Sequence, residues 1–111
     1  SAPIKCNTST IYGYSFNDTN GNKIKDSGEA GLSSRTINLK GYDTCTRTLV
    51  SKIITTNTTG YFAFKSINPG SYVLSQDYVL GWLPTTDAAY TLSIPSVSAT
   101  IRKDFGNKKF I

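Results

Sequence analysis

Along this chain apolar residues recur at every second position rather than every third or fourth. In residues 11–17, Tyr12, Tyr14 and Phe16 alternate with Ile11, Gly13 and Ser15. Residues 35–40 alternate again and set Ile37 and Leu39 on one face. Successive side chains of a strand point to opposite faces, so this period predicts strands. Residues 47–56 are rich in β-branched side chains, which favour strands. Residues 61–64 make a short strand that buries either Phe62 and Phe64 or Tyr61 and Ala63. Residues 71–76 put Tyr72 and Leu74 on one side, and residues 90–94 and 99–105 supply the last two strands. Turns fall between them. Residues 41–45 and 57–60 are two, and Asn68-Pro69-Gly70 has the residues of a type II turn. No stretch has room for a helix. Strands with turn signals about every ten residues predict an all-β, antiparallel β-sandwich of about seven strands.

The linker between the first two strands carries the candidate chemistry. Residues 18–29 put side-chain oxygens at loop positions 1, 3, 5, 9 and 12, as Asp18, Asn20, Asn22, Asp26 and Glu29. Position 7 is Ile24, which offers only its backbone carbonyl. That is the ligand spacing of an EF-hand calcium loop, where alternate oxygens turn inward and a longer acid at position 12 reaches back. The flanks here are strands, not the helices of an EF-hand. Position 6, glycine in an EF-hand, is Lys23, and Lys25 adds a second positive charge. The alternative is a polar turn whose side chains bond their own backbone.

The wider pattern is specific. Gly13-x-x-Phe16-x-Asp18-x-Asn20-x-Asn22 is followed by Asp26-x-Gly28-Glu29-x-Gly31-Leu32. Residues 60–64 and 67–74 then give Gly-Tyr-Phe-Ala-Phe and Ile-Asn-Pro-Gly-Ser-Tyr-Val-Leu, and Asp104-Phe105-Gly106 closes the run. This order resembles the SdrD B-like domains of surface adhesins, relatives of the collagen-adhesin (Cna B-type) modules. The resemblance implies a prealbumin-like sandwich over residues 11–106, flanked by an N-terminal arm (1–10) and a C-terminal tail (107–111). It implies bound Ca²⁺, tandem neighbouring domains in a longer protein, and an extracellular, cell-surface or cell-envelope location. It also favours Phe62 and Phe64 inward. With alternation in the other strands, the expected core is Tyr14, Phe16, Ile37, Leu39, Phe62, Phe64, Tyr72, Leu74, Leu92, Ile101 and Phe105. Many Cna B relatives carry a Lys–Asn isopeptide bond promoted by a buried acid. The nearest residues here are Lys5, Asn107 and Asp77, poorly placed for it, and no such bond is expected.

Composition narrows the functions. The length of 111 residues predicts one domain with a modest core. There is no Met, and the chain opens Ser1-Ala2-Pro3, as a processed or excised piece would. No signal peptide or apolar span long enough to cross a membrane is present in it, so direct membrane insertion is not expected. Histidine is absent, which removes Ser-His-Asp and Cys-His nucleophilic sites and histidine-bound zinc. The carboxylates of residues 18–29 sit in one loop without a partner base, and the chain is not expected to be an enzyme. The net charge is +5, from 12 basic and 7 acidic residues. The basic residues are scattered, which suits a solvated surface or an anionic cell-wall polymer or glycan better than nucleic acid. Cys6 and Cys45 form a disulfide if the protein is exported and two thiols otherwise. The sequons at Asn7, Asn17 and Asn57 favour export weakly. Trp82, in the 81–84 loop, is expected to close one end of the core rather than stack on a sugar. Two functions remain: a calcium-binding structural spacer, or an adhesion module that grips glycan or protein through loops at one end of the sandwich.

Overall fold

The computed structural model of the chain describes residues 6–110. The arm residue Lys5 lies outside that range. Nine strands follow in order: β1 (Ser9–Asn17), β2 (Thr36–Asp43), β3 (Thr48–Thr55), β4 (Tyr61–Ile67), β5 (Gly70–Gln76), β6 (Trp82–Pro84), β7 (Ala89–Ile94), β8 (Thr100–Arg102) and β9 (Phe105–Lys109). They form two sheets, β4-β1-β9-β6 with β8 also on β1, and β3-β2-β5-β7. The all-β sandwich is as the sequence predicts. The two strands beyond the expected seven come from the 81–84 loop, which pairs with β9, and from division of the final strand into β8 and β9. Pairing is antiparallel except where β1 meets β8 and β9, its parallel neighbours from the chain's far end. Ser9 and Thr10, assigned to the arm, start β1, and residues 107–109, assigned to the tail, complete β9.

The core joins Ile11, Ile37, Leu39, Phe62, Phe64, Ile67, Tyr72, Leu74, Leu92, Ile94 and Phe105, with Ile101 packed against it. One expected member, Tyr14, is neither buried nor packed against this core. The inward face of β1 is Ile11, Gly13 and Ser15, not the aromatic face. The link from β8 to β9 crosses so closely that a Cβ on Gly13 would collide with the Lys103 carbonyl oxygen. Tyr14 therefore turns outward. Its ring packs edge-on to Tyr61 at 5.4 Å, with the Arg102 guanidinium 5.2 Å from its centroid. Phe16 is fully buried, yet outside the main core. The chain leaving the 18–29 loop folds back over it and bridges it at Gly31.

The turn at Asn68-Pro69-Gly70 is not type II, because Gly70 lacks a positive φ and instead opens β5 opposite Asp43. Cys6 and Cys45 are joined by a disulfide, with Cα atoms 6.4 Å apart. It ties the entering chain to the turn after β2. Asp43 holds that turn, its Oδ1 accepting from the Cys45 and Thr46 N–H groups at 2.9 and 3.0 Å.

Candidate metal centre

The 18–29 loop leaves the sheet where β1 ends beside β9. The Asp18 N–H donates to the Asn107 carbonyl at 2.7 Å, and the Asn17 N–H to Ala30 at 2.8 Å, so both loop ends are pinned. Asp18 is fully buried at the loop's root. Its Oδ2 accepts from the Lys23 N–H at 2.8 Å and the Thr85 hydroxyl at 2.6 Å, and its Oδ1 from the Asn22 N–H at 3.2 Å. Burial pushes its pKa up, but these hydrogen bonds together outweigh it and hold the carboxyl below its ordinary value.

The departure at position 6 is resolved by the backbone. Lys23 itself takes the left-handed conformation, at φ 70°, where an EF-hand uses glycine. The loop makes the sharp turn with the wrong residue for it, and the Lys23 N–H still reaches Asp18.

Further out, the amide nitrogens of Asn20 and Asn22 both meet Asp26 Oδ2, at 2.9 and 2.7 Å. Glu29 reaches back as its position predicts. Its Oε2 accepts from the Thr19 N–H at 3.0 Å and its Oε1 from the Asp26 N–H at 2.8 Å. The Asn20 and Asn22 side-chain oxygens accept from the N–H groups of Asn22 and Ile24, at 3.1 and 3.0 Å. The Ile24 side chain is exposed. The loop thus makes the self-bonded network of an Asx turn and gathers Asn20, Asn22 and Asp26 at one point. Among the described residues no three His, Cys, Asp or Glu side chains converge, so Asp18, Asp26 and Glu29 are not brought together. Of the expected ligand side chains, only Asn20, Asn22 and Asp26 meet. An Asn amide turned about its last bond presents oxygen where it presented nitrogen. The donor set therefore fits a hard cation in chemical type and charge.

Thr85 had no signal in the sequence. It lies 67 residues from Asp18 and is one threonine among many. Trp82 does not close the core. It sits on β6, half-buried, with the Arg35 guanidinium 4.9 Å from its ring centroid, over a cavity of about 60 Å³. Asn107 is buried in a polar cluster. Its amide donates to the Ser15 hydroxyl at 3.1 Å and to Gln76, and Ser15 also bonds Gln76. Asp77, the other isopeptide candidate, is exposed and accepts from the Asn38 amide at 2.7 Å.

Residues 9–94 match the sequence pattern described as the SdrD B-like domain. The chain belongs to that family. This SdrD B-like domain is 33% identical over 73 residues to serine-aspartate repeat-containing protein D of Staphylococcus aureus, covering 66% of this chain and 5% of that protein. The domain thus spans a small fraction of the curated relatives it matches. Its fold is that of a minor pilin from Streptococcus agalactiae, with a TM-score of 0.64 at 16% identity, over 97% of this chain and 47% of the pilin. The major pilin SpaD of Corynebacterium diphtheriae superposes with a TM-score of 0.63 at 13% identity, over 98% of this chain and 33% of that one.

Proposed function

We propose that the domain is a calcium-binding structural spacer of a cell-surface protein, one bead in a longer chain of modules. One observation carries the calcium reading: Asn20, Asn22 and Asp26 meet within hydrogen-bond distance at loop positions 3, 5 and 9. Asp18 and Glu29 stand at positions 1 and 12, and the Ile24 carbonyl at 7. A bound cation relieves the repulsion among three carboxylates and orders the loop. Ordering otherwise costs about 1–2 kcal/mol per residue. With two neutral ligands and Lys23 nearby, the expected dissociation constant is about 10⁻⁴–10⁻³ M, the range of extracellular modules. The spacer reading rests on family membership and on pilin-like folds, and it puts the protein outside the cell. Neighbouring domains are its first partners.

Calcium fixes the loop over Phe16 and the β1–β9 junction, and so stiffens one end of the module. Calorimetry tests this. At tenfold excess over the dissociation constant, calcium adds about 1.4 kcal/mol of stability. The gain should vanish in Asp18→Ala and Glu29→Ala. Equal melting temperatures in chelator and in millimolar calcium leave the loop a polar turn.

A further inference from the structure

A free sheet edge exposes a row of unpaired N–H and C=O groups, and most proteins blunt it. Three of the five edge strands among the described residues, β4, β6 and β8, are blunted by length, Pro, Lys or a register shift. β6 and β8 are three residues long, and β6 ends in Pro84, which has no N–H. β4 shifts register against β1, carries the exposed Lys65, and holds Ser66 at φ 60°. β7 shows solvent only small or polar outward residues, Ala89, Thr91 and Ser93.

β3 carries one such device, Lys52 on its inner side, but differs from the other edges in length and in its outer face. It pairs with β2 over eight residues without a shift, and its other edge is free. It has no Pro or Gly. On its outer face Leu49 is 85% and Ile53 62% exposed. Tyr42 on β2 and Val73 on β5 carry the apolar surface across the sheet, and with Leu49 and Val50 they line an open depression.

We propose that β3 is a self-association edge, through which two copies of this chain pair antiparallel about a twofold axis at Ser51. An axis perpendicular to the sheet keeps both outer faces on one side, so the four-stranded sheets join into one continuous sheet. The strand is suited to its own copy because its outer face is symmetric in polarity about Ser51, with Leu49 and Ile53 on either side. This register sets Leu49 against the copy's Ile53 and Lys52 against the copy's Val50. Centring one residue later puts Lys52 against Lys52, and like charges directly opposed destabilise a ladder. Centring one residue earlier sets Leu49 against Ser51. The outer-face match and the lysine charge select the same register. Each copy carries a net +5, so salt should strengthen the pairing by screening repulsion.

Sedimentation equilibrium and cysteine trapping test this together. The mass should rise from 12.1 kDa toward twice that value as concentration reaches the millimolar range, and sooner in high salt. Leu49→Lys and Ile53→Lys, both at exposed positions, should hold it at 12.1 kDa with the Cys6–Cys45 disulfide intact. Ser51→Cys should form a covalent dimer under mild oxidation. Thr48→Cys should not, because its equivalent would lie about 20 Å away along the ladder. A mass fixed at 12.1 kDa at every concentration and salt overturns the proposal. So does Thr48→Cys cross-linking as readily as Ser51→Cys.

Discussion

The Thr85 hydroxyl donates to Asp18 Oδ2 at 2.6 Å, joining the root of the 18–29 loop to the segment after β6. Thr85 is itself fixed there, its N–H donating to the Gly106 carbonyl at 2.9 Å. The loop is thus anchored, beyond β1 from which it leaves, by two distant parts of the chain, β9 and the β6–β7 link. Thr85→Val keeps the shape and removes the donor. A hydrogen bond to a charged group is worth about 1.5–3 kcal/mol, and chemical denaturation at neutral pH should show a loss of that size. A loss no larger than that of an exposed Thr→Val change would mean that Asp18 does not depend on this bond.

The same carboxyl sets an acid limit. Asp18 and Asp43 are both held below their ordinary value of 3.8 by hydrogen bonds that outweigh burial. For each, the unfolded chain binds the proton more readily than the folded one. Stability therefore rises with pH through the window between the two values. The contribution is complete above the unfolded value near 3.8 and is lost as pH falls through the depressed folded value. Melting temperature should be flat toward neutral pH and drop steeply below pH 3.8. Asp43→Asn should make that drop shallower, and an unchanged slope would remove Asp43 from the account.

The disulfide spans a sequence separation of 39 residues. On the chain-entropy account a loop of that length stabilises by about 4 kcal/mol. The double variant Cys6→Ser with Cys45→Ser should lose about that much in denaturant midpoint analysis. The reduced wild type should match it. A double variant as stable as the oxidised wild type would assign the bridge no role in folding.

Phe64 and Tyr14 separate the two faces of the first sheet. Phe64→Ala opens a cavity among core residues and should cost about 3–5 kcal/mol. Tyr14→Ala strips only the outer aromatic layer and should cost about 1 kcal/mol, the size of an aromatic pair. Equal losses would place Tyr14 in the core after all.

That contrast shows what alternation can and cannot tell. Period two located the strands, and for β2 and β5 it also picked the buried face, where Ile37, Leu39, Tyr72 and Leu74 lie. For β4 it left two faces open, and the family resemblance chose Phe62 and Phe64. In β1 both faces carry apolar residues, and Tyr14 was the wrong choice, while Phe16 is buried under the returning chain rather than in the main core. The deciding fact was the passage of Lys103 and Asp104 over Gly13, a contact across 90 residues that no local pattern records. The loop's oxygen spacing was legible because ligand and turn chemistry are both local. Thr85 and the Ser15–Gln76–Asn107 cluster were not, since each is assembled from separate strands.

Lys23 is where the loop's sequence and its geometry disagree, so it is the place to improve the site. Its φ of 70° costs a non-glycine residue about 1–2 kcal/mol. Glycine removes that strain but loses about 0.5–1 kcal/mol through the greater freedom of the unfolded chain. Without calcium, Lys23→Gly should therefore leave stability within about 1 kcal/mol of wild type. Calcium affinity should change more. A unit charge about 8 Å from a divalent ion in water opposes binding by about 1 kcal/mol. Its removal should tighten calcium about fivefold, and the gain should shrink in high salt as screening sets in. Isothermal titration calorimetry of wild type, Lys23→Gly and Lys23→Gln separates the two causes. Gln removes the charge but keeps the strained backbone, so it should share the affinity gain and not the strain relief. If neither variant binds calcium more tightly than wild type, the cation does not sit within reach of position 6. The assignment of Asp18, Asn20, Asn22, Asp26 and Glu29 as its ligands then fails with it.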